Sequence, residues 1–585
     1  MNNKLKIKIT SGPSLYSNSK SVLFDYDQAT FGNGFEISAN EIQKLHKILP
    51  KPLSDKLVNN EKNNVHDLLV SLVNVFFQFQ KHQNMNTNVQ HLKSGVNRLV
   101  AEYDNALAMK NAVETAVLIM QFIKSDIETP PVPFVTKINE LSQFLIYWSP
   151  SELTQKFRNA AKRKNIPFLL LLETTPFTVF GQGIHSKIFD YGLTELDSQI
   201  GYRLQDSKSL TVNVLQRIGY PTPEQAVVKN FQMCVDAIRQ INFPVVIKPL
   251  SEGMGNGVTA NIQTLEQARD AFSLASKLSS DGVVVEKHID GDLYRITLSK
   301  NKILGVDICA GAKVFGDGIS TVKELIDVEN RRRKELKNAK FLLKDIQFDE
   351  RVTRNLRNAN LNGNSIPDKG QEVLLTDIVN RHAGGTKEPI NIEDMHPDTV
   401  EMAEDICKTF RLDSVGIDMI STDISKSWRD NGAIIEVNAY PGSVLAFGDR
   451  IMENYFGETQ GRIDTTLFIA DHHEIALNYY KSNLEKHDKC GFACHEFAMF
   501  ESGRLSQLHD TLANNCQTLV LNKSCDAIVV SLRADDLMKT GLPLDYFDRC
   551  IVDKNVNYDD VIAEYTDHKN LESWLSQFCG KVEHQ

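Results

Sequence analysis

The chain has 585 residues, too many for one hydrophobic core, and its length predicts about three or four domains. A formal net charge of -10 on an ordinary globular composition argues against a general nucleic-acid binder, which meets the phosphate backbone with a basic surface. Nine cysteines, scattered from Cys234 to Cys579 without the paired spacing of a disulfide framework, predict a reducing cytoplasm.

The segment Met1 to Ile9 is basic but lacks the apolar core and cleavage site of a secretory signal, and it reads as a first strand. The apolar stretch Leu68 to Phe79 is interrupted by Ser71, Asn74 and Gln78 and is too short to span a bilayer, so no membrane contact is predicted. Leu68, Leu69, Leu72, Val75, Phe76 and Phe79 recur at helical spacing, as do Ala106, Met109, Val113, Val117 and Met120. Thr129 to Pro133 marks a loop.

From about Thr154 to Tyr220 a basic helix, an apolar strand over Phe168 to Leu172 and a further helix predict an α/β layer. After Pro221-Thr222-Pro223, strands are predicted over Pro244 to Ile247, Val283 to Glu286, Lys302 to Ile308, Val415 to Ile420 and Ala433 to Val437. The polar, basic segment from Val328 to Gln371 contains Arg331-Arg332-Arg333-Lys334; it reads as a solvated helix and loop, or as a lid over an anionic substrate. After Phe456 a smaller α/β segment follows. In it Cys490, Cys494 and His495 could supply metal ligands, but no second Cys or His pair follows at zinc-site spacing.

Two segments carry chemistry. Glu436 and Asn438 lie two apart in a short apolar strand, so their oxygens share one face. Asp418 ends a second apolar strand; if the two pair, three hard oxygens converge as a site for Mg²⁺, which usually meets substrate phosphates, and this points to a nucleotide triphosphate. Upstream, Lys248 and the loop holding Gly253, Gly255 and Gly257 follow a strand and offer backbone N–H groups to phosphate oxygens. That loop matches neither the Rossmann nor the Walker pattern.

Lys248-Pro249, the glycine loop, Val285-Glu286-Lys287-His288-Ile289, Asp418 and Glu436-Val437-Asn438 occur in the order of ATP-grasp ligases, and the chain resembles the cyanophycin synthetase family within them. Gly316-Asp317-Gly318, Thr321 to Ile326, Gly384-Gly385-Thr386 and His396-Pro397-Asp398 extend the likeness. The resemblance implies an α/β multidomain chain: an N-terminal α+β domain (1–155), an ATP-grasp domain (156–455) with a lid at about 320–380, and a truncated Mur-ligase-like α/β domain (456–585). It implies that Lys208 and Lys248 hold ATP phosphates, that Glu286 to Ile289 contact adenine with Asp292 near the ribose, and that Asp418, Glu436 and Asn438 hold Mg²⁺. His382, Gly384, Gly385 and Thr386 fall where the family contacts substrate.

The activity implied is ADP-forming ligation of a carboxylate to an amine through an acyl phosphate, with cyanophycin-like polymerisation of β-aspartyl dipeptides as the nearest model and a homo-oligomer as the expected assembly. Two alternatives stay open: a ligase making one small peptide, and a non-catalytic nucleotide- or polymer-binding protein. Leu293 replaces an acidic residue, with Asp292 beside it as a substitute, and Ile308-Cys309 replace an arginine pair. In the last domain Ala470-Asp471-His472-His473-Glu474 stands where the family has a phosphate loop, without its glycines or lysine, so this part is expected to bind no ATP in the family manner.

Overall fold

The computed structural model describes residues 6–31, 35–49, 57, 64–78, 86–92, 94–147, 150–251, 256–335, 344–376, 384–505, 511–555 and 571–585. The chain forms two compact units, Met1–Tyr191 with Ile451–Gln585, and Gly192–Arg450.

The first unit has separate hydrophobic cores. One lies between an antiparallel sheet (Ile7–Thr10, Ser21–Tyr26, Asn97–Glu102, Thr87–His91, in spatial order) and the helices Val65–Gln78 and Ala106–Ile123. The second helix is long and apolar enough by composition to cross a membrane, but about two thirds of it is buried inside the protein, where Ala112, Val113, Ala116 and Val117 are fully covered. The expected loop at Thr129 to Pro133 is shorter than predicted, because the helix Val132–Tyr147 begins inside it and carries Pro133 in its first turn, where a missing N–H costs nothing.

The strands Phe168–Leu170, Thr178–Phe180 and Lys187–Asp190 pair antiparallel, not as the parallel layer that an α/β alternation suggests. Their connections are too short for a parallel crossover, which needs a dozen or more residues. A further core lies against a seven-stranded sheet near the C-terminus. Its parallel strands Asp464–Ile469, Cys490–Ala493, Ala527–Leu532, Phe547–Val552 and Cys579–His584, numbered one to five along the chain, lie in spatial order 2-3-1-4-5.

The second unit carries two antiparallel sheets. The strands Thr259–Ile262, Val245–Pro249, Val283–Lys287 and Gln225–Val228 are backed by the helices Phe231–Ile241 and Leu265–Leu278. The strands Thr386–Ile390, Lys302–Ala310, Asp292–Ser299, Ser414–Ser421 and Ala433–Ala439 form the other, with the helix Pro397–Phe410 against its apolar face. Inserted between the strands Lys302–Ala310 and Thr386–Ile390 of this second sheet, the helices Val322–Glu335 and Glu350–Asn358 and the ribbon Lys313–Phe315/Glu372–Leu374 enclose a small core of their own.

This small body is tied by chemistry that the sequence hid. Thr321 and Glu324 form a reciprocal cap, and Asp317 accepts from the N–H groups of Ile319 and Ser320, which hold its carboxyl down to about 2. Arg333, read as part of a solvated basic run, is 1% exposed; it donates to Glu329 (2.8 Å) and to the carbonyls of Lys344 (2.9 Å) and Gly384 (2.7 Å). Replacing Arg333 with Ala orphans these acceptors and is expected to cost about 3 kcal/mol, the range for breaking a buried pair. Hydrogen exchange should rise across 322–335 and 344–376 and stay unchanged in the helix Pro397–Phe410.

Candidate active site

The five-stranded sheet brings the predicted oxygens together. Strands Ser414–Ser421 and Ala433–Ala439 pair antiparallel with Asp418 opposite Glu436 and Gly416 opposite Asn438. Asp418 lies mid-strand and does not end it. A register shift between Asp418 and Met419 inserts Ile435 as an extra residue, so Ile434 and Val437 both reach the core while Glu436 and Asn438 turn to the other face.

Sequence reasoning missed the partner of Asp418. Arg295 stands directly opposite it on the next strand; its Nε donates to Oδ1 and its Nη2 to Oδ2 at 2.6 Å. Asp307 in turn faces Arg295. Asp307, Arg295, Asp418 and Glu436 thus form one charged row across four strands, since directly opposed residues share a face. Gly416 makes room for it, because a Cβ there would stand 3.1 Å from Arg295 Nη1 and 2.7 Å from Pro441 Cβ.

Burial sets the charge states. Burial and the adjacent Asp418 charge raise the Glu436 carboxyl above its ordinary value, and the Asn438 amide, then Arg295 and Lys208, offset only part of this. Burial opposes the Arg295 charge, but Asp418 more than compensates and holds the guanidinium above its usual range. Burial, then the Arg295 charge, lower the Lys387 ammonium. The row therefore keeps a buried acidic pair that one guanidinium only partly neutralises. Asn438 Nδ2 is buried there beside Glu436, near enough to favour its charged form but without a hydrogen bond of good geometry. Turned over, that carboxamide would present its oxygen beside Glu436, so the donor set fits a hard divalent cation.

The neighbouring sheet supplies one lysine and a helix the other. Lys248 forms an ion pair with the buried Glu286 at 2.6 Å. Lys208 opens the helix Lys208–Arg217, capped by Ser207, and its Nζ reaches the carbonyl of Pro249 at 3.5 Å. Gly257 has φ +72°, and a Cβ there would come within 2.6 Å of Leu278 Cδ1, so only glycine closes this loop. Lys287 Nζ is engaged by the carbonyls of Asn242 (3.1 Å) and Phe243 (3.0 Å), which ties the end of this strand to the adjoining helix. Ile289 follows the strand and is half-buried.

Other expected positions fall elsewhere. Asp292 has the strand parity of the core residue Tyr294, so it does not share the face of Arg295 and does not replace Leu293, which does. Of Ile308-Cys309, Ile308 packs on the core and only Cys309 has the site's parity; burial pushes its thiol up to about 11, and Lys387 stands opposite it. Gly384, at φ +84°, packs against Ile346 and holds Arg333 through its carbonyl; Gly385 is buried beside it and Thr386 begins the edge strand. His396 caps the helix Pro397–Phe410 with proline at its start. His382, Gly253 and Gly255 lie outside the described residues.

The chain is similar to known proteins over part of its length. Residues 207–294, which hold Lys208, Lys248, Gly257 and Glu286, match the family model described as Carbamoyl-phosphate synthase L chain, ATP binding domain. Cyanophycin synthetase from Crocosphaera subtropica is 31% identical over 351 residues, 60% of this chain and 40% of that protein. The glutathione biosynthesis bifunctional protein of Mannheimia succiniciproducens is 27% identical over 321 residues, 52% of this chain and 42% of that one. A solved bifunctional glutathione synthetase from Pasteurella multocida superposes on 60% of this chain and 52% of its own with a TM-score of 0.40 at 22% identity, too distant to bear on mechanism.

The chain is an α/β multidomain protein with an ATP-grasp domain. It is related to cyanophycin synthetase and spans about 40% of the length of those curated relatives.

The raised Glu436 carboxyl has a measurable sign. The folded chain keeps that proton to higher pH than the unfolded one, so stability falls as pH rises from the ordinary 4.5 through the folded value. Glu436→Gln removes this cost. In EDTA, the variant should unfold at a higher temperature than the parent at neutral pH, with the difference vanishing in acid.

Proposed function

We propose that this chain is an ATP-dependent, ADP-forming ligase that joins a carboxylate to an amine. The observation that carries the reading is the convergence of Asp418, Glu436 and Asn438 on one sheet face in a chain whose ATP-binding segment holds Lys208 and Lys248. Asp418, Glu436 and Asn438 would hold Mg²⁺, which supplies charge neutralisation between phosphates when bound. Lys208 and Lys248 would face the phosphates; Lys248 must first exchange Glu286 for them, and each contact would be charge-assisted.

The reaction brings two anions together, a substrate carboxylate and the γ-phosphate, and yields an acyl phosphate that an amine captures. Positioned cations therefore carry much of the rate. Arg295 holds both Asp418 oxygens in one orientation and limits the negative charge of the row. The small body over 313–375 serves as the lid that keeps water from the acyl phosphate. Its Arg333 anchors the lid to Gly384 and does not face the substrate.

Likeness to cyanophycin synthetase supports a β-aspartyl dipeptide, such as β-aspartyl-arginine, added to a growing polymer. Cys309 and Leu293 on the site's face, where the family pattern has an arginine and an acid, favour a second reading: a ligase making a single small peptide. Residues 456–585 act as a Mur-ligase-like domain without a phosphate loop, a reading supported by their parallel sheet and the glycine-free turn at Ala470 to His473.

The test is ADP release with ATP and Mg²⁺ across single amino acids, β-aspartyl dipeptides and cyanophycin primers, with products weighed by mass spectrometry. A ladder of regularly spaced masses supports the polymerase and a single mass the small-peptide ligase; no turnover on any mixture refutes both. Glu436→Gln should cut turnover at least about a hundredfold, as removal of one charge-stabilising group does elsewhere, whereas His472→Ala should leave it unchanged.

A further inference from the structure

In the C-terminal sheet, far along the chain from the ligase residues, His473, Cys494 and Glu496 come together with their ligand atoms all within 4.8 Å of one another. They arise from two segments. His473 ends the loop after the strand Asp464–Ile469 and stands at the N-cap of the helix Glu474–Asn483. Cys494 and Glu496 belong to the tight connection between the antiparallel strands Cys490–Ala493 and Ala498–Phe500.

The geometry is close to that of a tetrahedral site. Ligand atoms around zinc stand about 3.3–3.6 Å apart, from bond lengths of about 2.0–2.3 Å; His473 Nδ1 and Glu496 Oε2 are 3.9 Å apart. Closing the set takes side-chain rotation of about an ångström, at the scale of these bond lengths. The supports are rigid. Cys494 N–H donates to Phe497 O at 2.9 Å, and Asn515 Nδ2 donates to the carbonyls of Cys494 (2.9 Å) and His495 (3.1 Å). The His473 ring meets the Phe497 ring edge-on, with centroids 5.8 Å apart.

Burial orders the three donors. Cys494 is 1% exposed, whereas the side chains of His473 and Glu496 are 34% and 52% exposed. A sulfur thus comes up from the core, a nitrogen and an oxygen come in from the rim, and the outward position is left to water. The place also suits a ligand. The sheet order 2-3-1-4-5 reverses at the strand Asp464–Ile469, and such a reversal is where parallel sheets bind ligands beyond their strand ends. Here the loop is Ala470-Asp471-His472-His473, whose carboxylate repels phosphate and whose carboxylate and imidazoles suit a metal cation.

We propose that His473, Cys494 and Glu496 bind one zinc ion, with water as its fourth ligand. The thiolate and imidazole select a borderline-soft transition metal against Mg²⁺ and Ca²⁺. A sequence search at zinc spacing passes over the set, because Cys494 pairs with His473, twenty-one positions upstream, and not with Cys490 or His495. The site is independent of the ligase reading, and its test does not involve turnover.

The experiment uses the tag-free full chain, stripped with a chelator and titrated with Zn²⁺ against a chromophoric competitor and with Co²⁺ by absorption. One equivalent of each, with Co²⁺ giving a thiolate charge-transfer band and tetrahedral visible bands, is the expected result. Cys494→Ser and His473→Ala should lose the equivalent, and His472→Ala should keep it. Glu496→Gln, at the surface and safe for folding, should weaken Zn²⁺ by at least about tenfold, the lower bound for disturbing a metal's partner. No stoichiometric zinc, an octahedral Co²⁺ spectrum without the thiolate band, or undiminished binding by Glu496→Gln would overturn the proposal and leave a His473–Glu496 ion pair over an inert core thiol.

Discussion

The bidentate pair between Arg295 and Asp418 is the interaction on which the ATP-grasp site depends. Desolvating an ion pair costs several kcal/mol per charge, and only good geometry with further hydrogen bonds recovers it. Here both Asp418 oxygens are taken by two guanidinium nitrogens, and the directly opposed register of the strands sets that fit. One guanidinium cannot neutralise Asp307, Asp418 and Glu436 together, so a negative field remains in a buried place. The raised Glu436 carboxyl is the sign of that deficit.

Much of the site was legible because strand alternation is a local property. Glu436 and Asn438 share a face by being two apart, and Asp418 was placed near them by assuming that adjacent apolar strands pair. Arg295 was not legible. In Tyr294-Arg295-Ile296 it reads as the solvated side of a half-buried strand, and its partner lies 123 positions away, where only register identifies it. The same limit hid Lys387 opposite Cys309 and made Asp292 look interchangeable with Leu293, although a one-residue step changes the face.

Helical segments failed in a different way. The run Arg331-Arg332-Arg333-Lys334 has the composition of a solvated surface, and its neighbours do face water, yet Arg333 points inward because helical spacing places it four residues from Glu329 and in line with two loop carbonyls. Composition averages over a helix face, whereas burial is decided residue by residue. In the C-terminal sheet the polar residues His473, Cys494 and Glu496 sit in loops at the strand ends, and loops on a rigid scaffold are where new chemistry is built.

The Arg333 contact with Gly384 has a mechanical meaning. A guanidinium that bridges a helix and a distant turn acts as a crank pin: the helix Val322–Glu335 and the turn before the edge strand cannot separate without leaving buried donors and acceptors unpaired. The two must travel as one piece. Motion of the small body is therefore transmitted to the start of the strand Thr386–Ile390, whose Lys387 stands opposite Cys309 beside the charged row, so a displacement of the small body also re-aims that edge.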